Sequence, residues 1–215
     1  MLGIYVTVPV ACFRKGMARE YLETDPIPPP STCYGFLLSL VGEIDRARHE
    51  YVSVTCGLIG TPDKSVVLRT VWRVKSKPLG SAGNTRPDYQ QLLTNIQLVM
   101  WIDSSRELDQ SATLESRVRD ALSPDARSRI ERFGGLSLGE STHLVDEVLQ
   151  LERFAAREPE QSVRVFVLKD RGRMTLPIWV DHVGSAGTRY VTGDMESRAV
   201  GDAPELVEMP LISST

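Results

Sequence analysis

Three consecutive prolines, Pro28 to Pro30, limit the folds open to this chain more sharply than any other stretch. Each ring fixes φ and removes a backbone donor, so the run is held extended and no helix continues backwards through it. What lies on either side must be separate elements. Before the prolines, residues 3–10, GIYVTVPV, alternate and are rich in β-branched side chains, the pattern of a strand, and 11–30 form a long irregular link. After them, Ser31 is expected as the N-cap of a helix reaching about Ile44, because Tyr34, Leu37, Leu38 and Val41 recur at the spacing of one helix face. Gly35 and Ser39 lie beside that face, small enough to admit either a packed sheet or a ligand backbone.

Residues 51–60, YVSVTCGLIG, and 65–75, SVVLRTVWRVK, read as two further strands. Residues 76–90 are rich in Gly, Pro and Ser without a period, so they are expected as a long loop or the tip of an extended hairpin. NIQLVMWID, 95–103, is a central strand by its apolar run. A helix is expected over 111–122, with Leu114, Val118, Ala121 and Leu122 on one face, and a short one over 123–133, capped by Ser123 with Pro124 at its first position. Segment 142–154 is mixed, 163–169 and 174–183 are strands, and 184–215 is expected as an irregular, poorly ordered tail. The opening order β-α-β-β predicts an α+β fold, a ferredoxin-like βαββαβ unit forming a single domain over 1–215. Its sheet would be antiparallel with helices on one face, and the free face is the one RNA-recognition modules use.

With 215 residues, 41% of them hydrophobic, the chain can bury a real core. No apolar run approaches the roughly 18 residues that span a bilayer, and the N-terminal segment reads as a strand and not as a signal peptide, so no membrane partner is expected. Cys12, Cys33 and Cys56 lack C-x-x-C spacing, which suggests reduced thiols in a cytoplasmic protein. His49, His143 and His182 are scattered, so neither a metal nor a cofactor is expected. Net charge is −3, but Arg69, Arg73, Lys75, Lys77 and Arg86 fall in a segment, 69–86, with no acidic residue. Positions 69, 71, 73 and 75 share one side of a strand, three of them basic. Such a stripe suits a phosphate backbone, and equally a hairpin edge kept soluble by its charges.

Residues 133–141, FGGLSLGES, match the phosphate-loop pattern G-x-x-x-x-G-K-[ST] at Gly134, Gly139 and Ser141, with Glu140 where lysine should stand. The preceding ARSRIER reads as helix, not strand, and Glu140 would set a negative charge against a phosphate, so an ATPase reading is opposed. What remains is a glycine-rich loop able to bring backbone N–H groups close to a ligand backbone.

Two stretches carry a resemblance. PPPSTCYGFLLSLVGE, 28–43, resembles the N-terminal signature of the CRISPR-associated Cas-five family, and FGGLSLGESTHLVDEV, 133–148, is similar to that family's internal glycine-loop segment. The flavour is that of the Myxococcus-type (DevS-like) type I subtype. The resemblance implies an RNA-recognition-like (RAMP) fold with a protruding hairpin thumb, here about 69–95, and a shortened C-terminal part. It implies a non-catalytic subunit of a Cascade effector that binds the 5′ handle of the crRNA. The neighbours would be the first backbone (Cas-seven type) subunit and the large (Cas-eight type) subunit, with target DNA reached only through the complex. Carried over position by position, the RNA-binding residues would include Ser31, Thr32, Tyr34 and Gly35 of the first motif, and Gly134, Gly135, Gly139, Ser141 and His143 of the loop. The basic residues would be Arg69, Arg73, Lys75, Lys77 and Arg86 of the arm, with Arg14 and Lys15 after the first strand. The alternative is a metal-independent endoribonuclease processing precursor crRNA, as in subtype I-C, for which Tyr34, Lys75 and His143 are the available set.

Overall fold

The N-terminal alternation is strand β1, Leu2–Ala11. The computed structural model describes residues 1–16, 18, 21–72, 78, 80–132 and 134–215, with the backbone alone for Ala82, Ala126 and Arg127. The chain continues through β2 (Tyr21–Leu22), α1 (Pro30–Leu40), β3 (Ser53–Ile59), β4 (Asp63–Trp72) and β5 (Thr85–Asp103). It then runs through α2 (Leu114–Ala121), α3 (Pro124–Arg127), β6 (Glu147–Gln150), α4 (Leu151–Ala155), β7 (Ser162–Leu168), β8 (Met174–Trp179) and β9 (Arg189–Ala199).

The elements β1-α1-β3-β5-α2-β6 form the expected βαββαβ unit. β1 lies antiparallel to the inner half of β5, with Leu2 opposite Ile102 and Val8 opposite Ile96. β3 pairs the other side of β5, from Ser53 opposite Asp103 to Ile59 opposite Gln97, and β6 closes the far edge of β1. The order β6-β1-β5-β3 is the split arrangement of ferredoxin-like folds. Among the described residues the sheet then extends beyond β3 as β7-β9-β8.

That extension corrects the irregular tail expected over 184–215. β9 pairs β7 from Ser162 opposite Ala199 to Leu168 opposite Gly193. Its sequence, RYVTGDMESRA, lacks an apolar period because most of its side chains stay partly or fully exposed. Its order comes from the neighbouring strand, a distant segment that local pattern cannot reveal. The chain end is docked as well: Ile212 N donates to Val52 O at 2.9 Å, Tyr51 N donates to Ile212 O at 2.8 Å, and Met209 and Ile212 are buried.

Residues 85–90, expected as loop, are also strand. β4 and the outer half of β5 pair from Asp63 opposite Thr94 to Trp72 opposite Thr85, forming an arm beyond the core sheet. Asn95, at φ 55°, marks where the register shifts between arm and core. β2 braces the middle of the arm, with Tyr21 opposite Tyr89.

α1 and α2 cover one face of the sheet, burying Leu37, Leu38, Leu114 and Val118 against Ile4, Val54, Leu98 and Met100. The opposite face, expected to be free for RNA, is covered too. Leu151 and Phe154 of α4, with Val200 and Met209, pack over Tyr5, Trp101, Val163 and Val165, and the Phe154 ring stacks on Tyr5 at 3.9 Å. Those strands present large apolar side chains on both faces, and the chain supplies its own cover.

α1 starts two residues earlier than expected. Pro29 holds the cap position at φ −56° and ψ 153°, its carbonyl accepts from Thr32 N and Cys33 N, and Ser31 lies inside the first turn without capping it. The helix ends at Leu40, not Ile44, because Gly42 takes φ 69° and closes it: Glu43 N donates to Leu38 O at 2.8 Å and Gly42 N to Ser39 O at 3.2 Å. α2 is capped by Thr113, which accepts from Ser116 N, and α3 fills only the first part of the helix expected over 123–133.

A buried polar network ties α1 to α2. Glu107 accepts from Leu114 N at 2.9 Å and from the Ser104 hydroxyl, and lies 2.9 Å from His49 Nδ1. Arg117 stands 2.9 Å from His49 Nε2 and bonds Glu43. The imidazole therefore donates from Nδ1 to Glu107 and accepts at Nε2 from Arg117. The Arg117 guanidinium holds the Glu43 carboxyl at about 2, below its ordinary 4.5.

Candidate nucleic-acid interface

The two motifs meet across a cleft of about 390 Å³, lined on one side by Ser31, Thr32, Gly35 and Ser39 of α1 and on the other by Ser137 and Gly139 of the glycine loop. The extended backbone at Pro29 leads into α1, with Ser31 and Thr32 half-exposed in its first turn. Gly35 is the informative residue. A Cβ built there meets nothing within 4 Å, so packing on the sheet does not explain it. A mid-helix glycine costs about 0.5–1 kcal/mol relative to alanine. What it leaves here is an open groove on the helix.

The cleft's end wall was not read from the sequence. The Arg46 guanidinium lies 3.8 Å from the Trp179 ring centroid and donates to Val180 O at 2.9 Å, with His182 beside it. Tyr34 sits under this wall, 3% exposed, its hydroxyl donating to Arg46 O at 2.7 Å. Burial raises its pKa. Arg46 and Trp179 are far apart in sequence and on unlike elements, so only the cation–π pairing could have flagged them.

The glycine loop is a tight turn, not a phosphate loop followed by a helix. Ser137 and Leu144 form an antiparallel bridge, Leu138 N donates to His143 O, and Leu138 is a fully buried anchor. Gly139, at φ 96°, passes so close to β1 that a Cβ would lie 2.8 Å from Cys12 O. His143 is 8% exposed, and its Nδ1 accepts from both Cys12 N and Glu140 N at 3.2 Å. Burial, its largest cause, lowers its pKa below 6.5. A neutral imidazole with Nδ1 doubly occupied is a clasp holding the loop to the end of β1. Gly134, Gly135 and Ser141 lie on the exposed side of the loop, away from that anchor.

The basic segment is less uniformly cationic than its sequence. Arg73, Lys75 and Lys77 lie outside the described residues. Arg86 pairs Asp88 at 2.8 Å, and Arg69 Nη1 lies 3.9 Å from Glu140. Asp88 lies two residues past the stretch on the same strand, and folding brings Glu140 to it from the glycine loop. Lys15 pairs Glu23 at 3.4 Å, and Arg14 is exposed in a bridge with Thr24. Beyond the cleft, Val66, Leu68 and Trp72 of β4 and Tyr89 of β5 are exposed on one side of the arm. Among the described residues no group of His, Cys, Asp and Glu is arranged to hold a metal ion, and no helix is long and apolar enough to cross a membrane.

The molecule is thus a ferredoxin-like sheet with α1 and α2 on one face, α4 and the chain end on the other, and a hairpin arm built by β4 and the outer half of β5. The fold is shared with a solved chain of a CRISPR RNA-guided surveillance complex, 15% identical, at a TM-score of 0.59 over 92% of this chain and 89% of that one. CRISPR-associated protein Cas5 of Myxococcus xanthus (strain DK1622) is 47% identical over 214 residues, 99% of this chain and 97% of that protein. The chain belongs to the CRISPR-associated Cas5 family. No family model matches it.

Proposed function

We propose that this protein binds the 5′ handle of a crRNA as a non-catalytic subunit of a Cascade-type effector, holding handle nucleotides in the cleft between α1 and the glycine loop. The observation that carries the reading is the convergence of the two motifs on one open groove, with Gly35 unexplained by packing. The cleft has the size of small-ligand sites. Its hydroxyls and backbone suit single-stranded RNA, which exposes base edges and phosphates together. Arg14, Arg69 and the cations of the arm add phosphate contacts, so affinity falls with salt. The arm, as the thumb, and the exposed residues around it would face the Cas-seven-type backbone subunit and the Cas-eight-type large subunit. Target DNA is read by guide pairing.

The nuclease alternative needs a base and an acid free to move protons. Tyr34 and His143 are each engaged by backbone groups, and Lys75 lies outside the described residues. The test is incubation of the purified chain with labelled repeat RNA in EDTA. Handle-dependent retention of intact RNA is expected. Cleavage at the 5′ edge of the handle overturns the non-catalytic reading.

A further inference from the structure

Glu140 stands in the glycine loop where a phosphate site would carry lysine, and the handle reading alone gives it no purpose. Its side chain turns away from the cleft toward the arm. One carboxylate oxygen accepts from Gln90 Nε2 of β5 at 2.9 Å, and the other lies 3.9 Å from Arg69 Nη1 of β4. Its backbone is fixed: Glu140 N donates to His143 Nδ1 at 3.2 Å, and its carbonyl accepts from His143 N at 2.9 Å. The loop thus touches the cleft through Ser137 and Gly139 and the arm through Glu140.

We propose that Glu140 is a specificity-determining residue, which registers the arm against the loop and withholds Arg69 from phosphates that do not arrive along the handle's path. This rests on the cleft being the handle site. The Arg69–Glu140 pair is long and half-exposed, at 41% and 30%, and therefore weak. Arg69 Nε is buried without a hydrogen-bond partner among the described residues. A guanidinium in this state is held but not satisfied, and a phosphate within bidentate reach outcompetes a carboxylate that the rigid loop keeps at a distance. A stray polyanion meets the Glu140 charge without the cleft contacts that would compensate the repulsion. A strand already seated in the cleft presents its next phosphate at high effective concentration on the other side of the same loop, and displaces the carboxylate. Discrimination then comes from a repulsive element as well as from attractive ones.

Glu140→Gln keeps an acceptor for Gln90 and removes the charge, whereas Glu140→Ala removes both. Binding of the full chain to handle RNA and to a scrambled RNA of equal length, across a salt series, separates the outcomes. Glu140→Gln is expected to tighten scrambled RNA about fivefold, to steepen the salt dependence by about one phosphate contact, and to leave handle affinity within about twofold. Adding Arg69→Ala should cancel the gain. Unchanged binding of both RNAs, or equal loss for both with a lowered melting temperature, overturns the proposal. If the wild-type chain itself does not distinguish the two RNAs, the handle reading falls and the role of Glu140 falls with it. That result is legible from the wild-type protein alone.

Discussion

Gly35→Leu is expected to weaken handle RNA by about tenfold or more, about 1.4 kcal/mol, while raising the melting temperature. The two effects have opposite signs because they arise on different links of the chain from sequence to function. Replacing a mid-helix glycine with a good helix former gains about 0.5–1 kcal/mol of helix stability. The new side chain has room, since a Cβ at this position meets nothing within 4 Å. It would project into the cleft and occupy space that a nucleotide needs. Thermal melts and binding isotherms on one preparation check both halves. A variant that melts higher and binds handle RNA as wild type does would remove the α1 wall from the site.

The largest loss of stability is expected at Glu107. Glu107→Ala should cost about 3–5 kcal/mol, because it leaves His49 and the first amide of α2 buried without their acceptor. For a domain of this size that is a fall in melting temperature of roughly 10 °C. The network also carries a pH signature. Glu43, held near 2 by Arg117, contributes stability that is fully present above its unfolded value of 4.5 and is lost as pH falls from 4.5 toward 2. Melts across that window should show the difference between wild type and Glu43→Gln shrinking as the pH drops. A Glu107→Ala protein that melts as wild type would mean that α1 and α2 are held by apolar packing alone.

Much of the fold was legible because its elements announce themselves locally. β1 alternates, α1 follows a proline run, and the apolar face of α2 keeps its period. The order of those elements suffices for the βαββαβ unit. What escaped was non-local. β9 is ordered by β7, the supposedly free sheet face is covered by α4 and the chain end, and the outer half of β5 is strand only because β4 lies beside it. The site shows the same division. Ser31, Thr32, Gly35 and Gly139 were visible as motif positions, and they do line one cleft. Arg46 and Trp179 were not, since their pairing joins a loop after α1 to the end of β8. Tyr34 and His143 carry the right chemistry for RNA contact but are turned inward, the hydroxyl to Arg46 O and the ring nitrogen to two amides. Sequence identifies such residues, but not which way they face.

Where the handle lies on the protein decides between these surfaces. Photocrosslinking of an assembled complex carrying 4-thiouridine at each handle position, followed by mass spectrometry of the linked peptides, reads that position. Crosslinks are expected on peptides covering residues 31–39 and 134–145, with the arm contributing a second set. Crosslinks confined to β7, β8 and β9, or to the face under α4, would contradict the cleft as the handle site.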